Sequence, residues 1–194
     1  FFKLKVYLSR FFSGFFMVNL NGHILKNKDT PLSVNNRGLN YGDAVFETIK
    51  ISCNKILFLE DHYFRLMASM RILRMEIPMD FTPEFLEAEL LKLIESKNQE
   101  QLTVRAKLLV WRSEGGLFNP LASDIEYLIS TQVLDTGLYV YNNSKYKIDL
   151  FKDYTIAPSL LSTLKSNNRI INVIGSIYAK DNNLDNCLIL NTNK

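Results

Sequence analysis

The sequence predicts an α+β fold that begins with a small two-layer domain of sheet and helices. Strand-like segments come first, two segments with helical periodicity follow, and strand-like segments return before residue 133. This order of sheet, helix, helix and sheet is typical of layered α+β domains. It differs from the regular alternation of strands and helices that a doubly wound parallel sheet requires.

The first predicted elements are strands. Residues 17–26 predict a hairpin, because Asn21-Gly22 is a strong two-residue turn signal between two short apolar strands. A polar loop with two glycines follows. The stretch from Val45 to Ile51 alternates apolar and polar residues, which predicts a half-buried strand. The apolar sequence ILFLE, residues 56–60, is predicted to continue the sheet.

Two amphipathic helices are predicted next. The first takes over at Glu60 and places these side chains on one face at helical spacing: Tyr63, Leu66, Met67, Met70 and Leu73. Thr82-Pro83 opens the second, with the threonine as N-cap and the proline in the first turn. Its predicted buried stripe consists of Leu86, Leu90, Leu93 and Ile94. The strands VRAKLLVW and IEYLIST follow, with a loop at residues 114–123 between them.

The last third of the chain is predicted to enter a second domain. Residues 136–159 have no clear periodicity and are interpreted as the crossing between two domains. Helical spacing returns after Lys165, and residues 187–191 predict a short apolar strand. We therefore expect three parts: a non-native or disordered leader at 1–16, a small α+β domain at 17–132, and a linker with an incomplete large domain at 133–194.

Composition narrows the classes of function. Of the 194 residues, 47% are hydrophobic and 22% are charged, with a net charge of +3. This balance is ordinary for a globular protein and argues against a nucleic-acid partner. No apolar stretch is long enough to span a membrane. Two cysteines and two histidines without metal-ligand spacing argue against a structural metal site and a disulfide framework.

Two basic residues are candidates for chemistry. Lys165 precedes a predicted helix, where partial burial would let its amine be neutral and nucleophilic, although most lysines are simply solvated. Arg65 could grip a phosphate with two parallel hydrogen bonds. It could equally be a surface residue paired with Asp61, four positions earlier on the same helix.

The segment NRGLNYGDAVFETIK, residues 36–50, is the most specific stretch. Tyr41, Phe46 and Thr48 could line a pocket, with Asp43 and Glu47 fixing the loop. The alternative, that the two aromatic residues belong to the core, remains open on composition alone.

Three stretches together resemble the fold-type-IV family of pyridoxal-phosphate enzymes: NRGLNYGDAVFETIK, LEDHYFRLMASMRIL and LSTLKSNNRIINVIGSIYAK. This family includes branched-chain aminotransferases, D-amino-acid transaminases and 4-amino-4-deoxychorismate lyases. The resemblance runs from Met17 to the end of the chain, with the three motifs in the family's order and at its separations. It implies a small two-layer domain followed by the start of a larger, barrel-like, cofactor-binding domain.

The resemblance also implies roles for individual residues. Lys165 matches the Schiff-base lysine of the family, and Arg65 matches the arginine that binds the phosphate of pyridoxal 5'-phosphate. Tyr41 and Thr48 match positions that face the substrate. A cytoplasmic homodimer acting on a small-molecule amino acid or on aminodeoxychorismate is implied, without a metal.

The sequence departs from the family in three places. Leu117 stands where lyases and D-amino-acid transaminases carry a substrate-binding arginine, which favours a transaminase with an apolar substrate. Asn168 and Arg169 after the lysine are closer to the lyases. The family's acidic partner of the pyridine nitrogen would lie beyond Lys194, so we expect poor activity from this chain.

Three functions are therefore considered. The leading one is a class IV aminotransferase that uses a 2-oxo acid as acceptor. The first alternative is a 4-amino-4-deoxychorismate lyase. The second, from another class, is a non-catalytic interaction protein that retains the fold.

Overall fold

The structure is a computed structural model that describes residues 17–135, 139, 141 and 145–193. The chain divides into two compact units, with the boundary between residues 137 and 138. The leader predicted at residues 1–16 lies outside the described residues. In the part of the chain that is described, no helix is long and apolar enough to cross a membrane.

The first unit is built on a six-stranded sheet in which every neighbouring pair is antiparallel. Its strands are β1 (Met17–Leu20), β2 (His23–Lys26), β3 (Ala44–Ser52), β4 (Lys55–Ile56), β5 (Thr103–Arg112) and β6 (Ile125–Val133). They lie in the order β2-β1-β6-β5-β3-β4. The predicted hairpin at Asn21-Gly22 and the predicted strand at Val45 to Ile51 are confirmed.

Three α-helices lie in the described part of this unit: α1 (Arg37–Asn40), α2 (Leu59–Ile72) and α3 (Pro83–Ser96). The predicted N-cap of α3 is confirmed, because the Thr82 side chain accepts a hydrogen bond from the Phe85 amide. The prediction that residues 56–60 continue the sheet is confirmed only for Ile56, which ends β4, and is wrong for the residues after it. Phe58 adopts a left-handed conformation with φ 57°, and this turn leads the chain directly into α2.

The core of the first unit lies between the sheet and the helices α2 and α3. Val45, Ile49 and Ile51 of β3 are buried in this core. Successive side chains of a strand point to opposite faces, so Ala44 faces the other side of the sheet. There it is buried with Leu20 and the only tryptophan of the chain, Trp111. The indole nitrogen of Trp111 is buried and has no hydrogen-bond partner in the described structure.

The second unit contains a strand, helix, strand arrangement. Strand β7 (Ile148–Ile156) pairs in parallel with β8 (Asn186–Asn191), and α4 (Ile170–Asp181) connects them and packs on both. The helix and the last strand are confirmed predictions. Strand β7 was not predicted, because it lies in the segment interpreted as a crossing. The strand was missed because only Phe151 is buried and most of its neighbours are exposed. Such a strand has little alternation of apolar and polar residues in its sequence.

Helix α4 packs on the two strands through its small residues. Gly175 and Ala179 are its buried positions. A Cβ atom at Gly175 would lie 3.0 Å from Cys187 Sγ, so glycine allows the helix backbone to approach β8 closely. Three of its larger apolar side chains are exposed in the described chain, namely Ile170, Val173 and Ile177.

Candidate active site

Arg65 is held by a buried carboxylate of the neighbouring strand. Its Nε donates to Glu47 Oε1 at 2.6 Å, and its Nη2 donates to Glu47 Oε2 at 2.5 Å. His62, one helical turn earlier, places Nδ1 2.8 Å from the same Oε2. Glu47 is on the helix-facing side of β3, so α2 brings both basic residues onto it. We name Glu47, His62 and Arg65 the Glu47 cluster.

The Glu47 carboxylate stays ionised although it is buried. Burial by itself raises the pKa of Glu47, but hydrogen bonds from Arg65 and His62, together with their charges, outweigh that effect and lower it below the usual 4.5. The hydrogen bonds to Glu47 in turn raise the pKa of Arg65 above its ordinary value. Near neutral pH the cluster thus contains a two-point ion pair between Glu47 and Arg65.

The outer edge of the Arg65 guanidinium is open. A guanidinium carries five N–H donors. Among the described residues, the hydrogen bonds of Arg65 use only Nε and Nη2. The Arg65 side chain is 52% exposed, whereas that of Glu47 is 1% exposed. Arg65 can therefore be fixed by Glu47 on one side and still offer donors to an anion on the other.

The pairing of Arg65 with Asp61 that the helical spacing suggested is not the main interaction. Asp61 contributes only through its charge, and the hydrogen-bonded partner is Glu47. The reason is burial. Glu47 comes from the strand beneath the helix, so its carboxylate loses water and gains the guanidinium in exchange.

A second group of charged residues lies near the start of β3, where α1 begins and β5 ends. Asp43 Oδ2 accepts from Arg37 Nε at 3.0 Å and from Arg112 Nε at 2.9 Å. Arg112 also donates to the carbonyl oxygens of Leu73 and Arg74. We name Arg37, Asp43 and Arg112 the Asp43 cluster. It confirms the prediction that Asp43 fixes the loop.

Tyr41 and Thr48, the residues matched to the substrate side, lie in different elements of the first unit. Tyr41 follows α1, and its ring lies 4.9 Å from Arg37 Cζ and 5.7 Å from the Phe118 ring. Thr48 lies on β3, opposite Lys107 of β5. Because Thr48 is next to Glu47 in the strand, it faces the other side of the sheet from the Glu47 cluster.

Lys165 lies in the second unit, and Arg65 lies in the first. The lysine is half-buried in a stretch of chain between a 3-10 turn at Leu161–Thr163 and α4. Arg169 holds that stretch through its backbone: Nη2 donates to the Leu164 carbonyl at 2.7 Å and Nε donates to the Ser166 carbonyl at 3.2 Å. Both residues that flank Lys165 are buried.

Sequence reasoning missed the supporting residues. The motifs singled out Lys165 and Arg65, but gave no role to Arg37 or Arg112 and none to Arg169 beyond a family comparison. The available signal was weak: Arg37 lies between Asn36 and Gly38 and Arg169 follows Asn168, but Arg112 has no such neighbour. Among the described residues, no group of three or more histidine, cysteine, aspartate or glutamate side chains could hold a metal ion.

The family follows from a comparison with known proteins. Residues 44–194, more than half of the chain, match the family model described as amino-transferase class IV. The chain belongs to the class IV aminotransferase family. The matched region contains β3 with Glu47, α2 with Arg65, and the Lys165 segment.

Curated relatives of this family member align over part of the chain. A putative branched-chain-amino-acid aminotransferase of Methanocaldococcus jannaschii is 34% identical over 100 residues, which are 52% of this chain and 33% of the relative. A D-alanine aminotransferase of Listeria monocytogenes is 31% identical over 81 residues, which are 42% of this chain and 27% of the relative.

Solved structures confirm the fold-type-IV architecture. A branched-chain aminotransferase from Thermoproteus uzoniensis with norvaline has a TM-score of 0.79 at 19% identity, covering 93% of this chain and 61% of that one. A branched-chain amino acid aminotransferase from T.th., complexed with N-(5'-phosphopyridoxyl)-L-glutamate, has a TM-score of 0.76 at 23% identity, covering 93% and 60%. The chain thus spans about 60% of the length of these enzymes.

Proposed function

We propose that this chain belongs to a pyridoxal-phosphate-dependent aminotransferase that moves an amino group from an amino acid to a 2-oxo acid. The observation that carries the proposal is the geometry of Arg65. A half-exposed guanidinium is fixed on its inner edge by a buried carboxylate and keeps donors on its outer edge. Family membership and the position of Lys165 support it.

The residues present fit the chemistry of the cofactor. A phosphate dianion needs a cation that does not lose its charge and that presents several donors in one plane, and Arg65 meets both conditions. An aldehyde needs a primary amine, and Lys165 is half-buried on a stretch of backbone that Arg169 holds at two carbonyls. Tyr41 and Thr48 are proposed to contact the substrate.

Pyridoxal phosphate, when bound, supplies the electron-accepting ring that lets the α-proton of an amino acid leave. The residues of this chain would then have two tasks, to hold the cofactor and to transfer a proton. Arg65 would hold the phosphate. The Lys165 amine would attach the cofactor before the substrate arrives, and would then carry the proton to and from the substrate's α carbon. Leu117 favours an amino acid with an apolar side chain over a dicarboxylate.

The lyase alternative loses part of its support. It depended on Asn168 and Arg169, which follow Lys165 in the lyase manner. In the structure Arg169 binds the backbone carbonyls of Leu164 and Ser166, and this contact does not distinguish one reaction from the other. Branched-chain amino acids with 2-oxoglutarate test the transaminase. Release of pyruvate and 4-aminobenzoate from aminodeoxychorismate would favour the lyase instead.

Covalent trapping tests the enzyme proposal against a non-catalytic protein. The chain is mixed with pyridoxal phosphate, reduced with borohydride, digested and analysed by mass spectrometry. We expect the pyridoxyl group on Lys165, and Lys165→Ala should lose both the label and the visible absorbance band while it keeps the circular dichroism of the parent. Lys180→Ala, which alters an exposed lysine at the end of α4, is the matched control. Equal labelling of many lysines, unchanged in Lys165→Ala, would overturn the proposal.

The resemblance also implies a homodimer and a cytoplasmic location, and both stay predictions. Light scattering after size-exclusion chromatography measures the mass of the particle and checks the first. A monomeric mass at the concentration used for the activity assay would contradict it.

A further inference from the structure

One buried guanidinium connects two loops that are distant in the sequence. Arg37 is 3% exposed. Its Nη1 donates to the Leu117 carbonyl at 2.7 Å and to the Gly115 carbonyl at 3.1 Å, while its Nε is bound to Asp43. The segment of residues 36–43 is thereby joined to the loop of residues 113–124 by hydrogen bonds, in addition to the ring contact of Tyr41 with Phe118.

The conformation of the second loop explains why an arginine is needed. Gly115 and Gly116 have positive φ angles of 117° and 76°. A Cβ at Gly116 would lie 2.0 Å from the Asn119 carbonyl oxygen, so only glycine permits this turn. The turn directs successive carbonyl oxygens at one point, where unsatisfied they would be costly. A planar, charged donor satisfies them, and a lysine ammonium lacks the fork that also reaches Asp43.

The side chains that this arrangement fixes are apolar and exposed. Leu117 is 76% exposed and Phe118 is 91% exposed. The Phe118 ring packs on Tyr41, whose ring lies on the Arg37 guanidinium. Exposed apolar side chains contribute little to the stability of a loop, so folding stability does not explain why Leu117 and Phe118 are held in place. The loop is better explained as a surface prepared for contact with a ligand.

We propose that Arg37 is a positioning residue that sets substrate specificity: it holds Tyr41, Leu117 and Phe118 as one apolar wall against the side chain of the amino-acid substrate. This inference rests on the proposed aminotransferase function, because only that function places a substrate next to the wall. Arg37 itself is buried behind the wall and acts through the two loops. Its loss should therefore affect the recognition of large apolar side chains more than the chemical step.

Two measurements on the same variants test the inference. The variants are Arg37→Gln and Arg37→Lys, with Arg105→Lys as the control, because Arg105 is exposed and pairs with Gln132 outside these loops. The first measurement is amide hydrogen exchange at residues 115–118, together with chymotrypsin cleavage at Phe118. We expect both to accelerate in the Arg37 variants and to stay unchanged in Arg105→Lys.

The second measurement is the KM and kcat for leucine and for alanine. We expect the leucine KM to rise about tenfold, as for the loss of a few apolar contacts, with a smaller change for alanine and nearly constant kcat. Phe118→Ala should give the same pattern without faster exchange at residue 115, and since Phe118 is exposed the variant should fold. Arg37→Lys should recover part of the effect of Arg37→Gln.

The outcomes separate this inference from the function on which it rests. A wild-type chain extended to the length of the solved relatives that shows no transamination would overturn both. Active wild-type protein whose Arg37 variants show unchanged exchange, or an equal rise in KM for leucine and alanine, would overturn the positioning role alone. A Phe118→Ala variant with an unchanged leucine KM would also overturn it, because the wall would then not touch the substrate.

Discussion

The Glu47 cluster and the Asp43 cluster use the same chemical pair for opposite purposes. In both, a carboxylate on or beside β3 binds the Nε of an arginine. Arg65 keeps its outer donors open to water, with half of its side chain exposed. Arg37 and Arg112 are buried, and their remaining donors bind backbone carbonyls. The difference teaches that the same ion pair can leave a guanidinium edge exposed or bury it. Exposure of that edge, and not the ion pair, is what supports the proposed role of Arg65 in binding a ligand.

The largest effect should come from removing the shared carboxylate of the buried cluster. Asp43→Ala leaves Arg37 and Arg112 buried without a counter-charge, which we expect to cost about 3–5 kcal/mol of unfolding free energy. Urea denaturation followed by circular dichroism measures it. A cost below about 1 kcal/mol would mean that hydrogen bonds to backbone carbonyls are enough to stabilise the two buried arginines. The Asp43 carboxylate would then not be an essential part of its cluster.

The next effect concerns ligand affinity. Arg65→Ala should weaken pyridoxal phosphate binding about tenfold to hundredfold, as expected for losing charge-assisted hydrogen bonds to the phosphate. Arg71→Ala, at an exposed position near the end of the same helix, is the control and should bind normally. Equal affinities for the two variants in a spectroscopic titration would return Arg65 to a structural role.

A third effect should depend on pH. Because the folded-state pKa of Glu47 is lowered, its stabilisation is complete above the ordinary value of 4.5 and is lost as the pH falls through the folded value. Glu47→Gln should therefore cost about 1–3 kcal/mol near neutral pH, with a difference from wild type that shrinks in acid. Urea titrations across that range measure it, and a constant difference would show that Glu47 does not titrate as described.

The smallest effect is expected for an arginine in neither cluster. Arg105 is exposed on β5 and donates to Gln132 on β6. Arg105→Ala should change the unfolding free energy by less than about 0.5 kcal/mol, as for most surface substitutions. A larger loss in the same urea assay would show that exposed cross-strand pairs matter more to this sheet than the two clusters suggest.

Local patterns in the sequence predicted most of the elements because they report local physics. The alternation from Val45 to Ile51 and the apolar stripe of α3 are visible within one window. Strand β7 was missed because a strand with one well-buried residue has no alternation to detect. The start of α2 was predicted to within one residue, but the strand before it was predicted too long, because the left-handed turn at Phe58 has no glycine or asparagine to mark it.

Only part of the candidate site was predicted, because motifs indicate single residues and not their long-range partners. Lys165, Arg65, Tyr41 and Thr48 came from motifs, and their roles remain predictions. The partner of Arg65 could not be read from helical spacing, since Glu47 is 18 positions away on a strand. The bond from Arg37 to Leu117 spans 80 positions. Such pairs depend on which strands meet, which the pattern of a single segment does not contain.

Trp111 gives this protein a built-in optical reporter. It is the only tryptophan, it precedes Arg112 of the Asp43 cluster, and its Cβ lies 3.1 Å from where a Cβ at Gly38 would be. The ring is buried against Leu20 and Ala44, and its indole nitrogen has no hydrogen-bond partner among the described residues. Water that entered when the two loops separate would shift its emission to longer wavelengths. The fluorescence of the unlabelled chain can thus time the opening of these loops separately from the melting of the sheet.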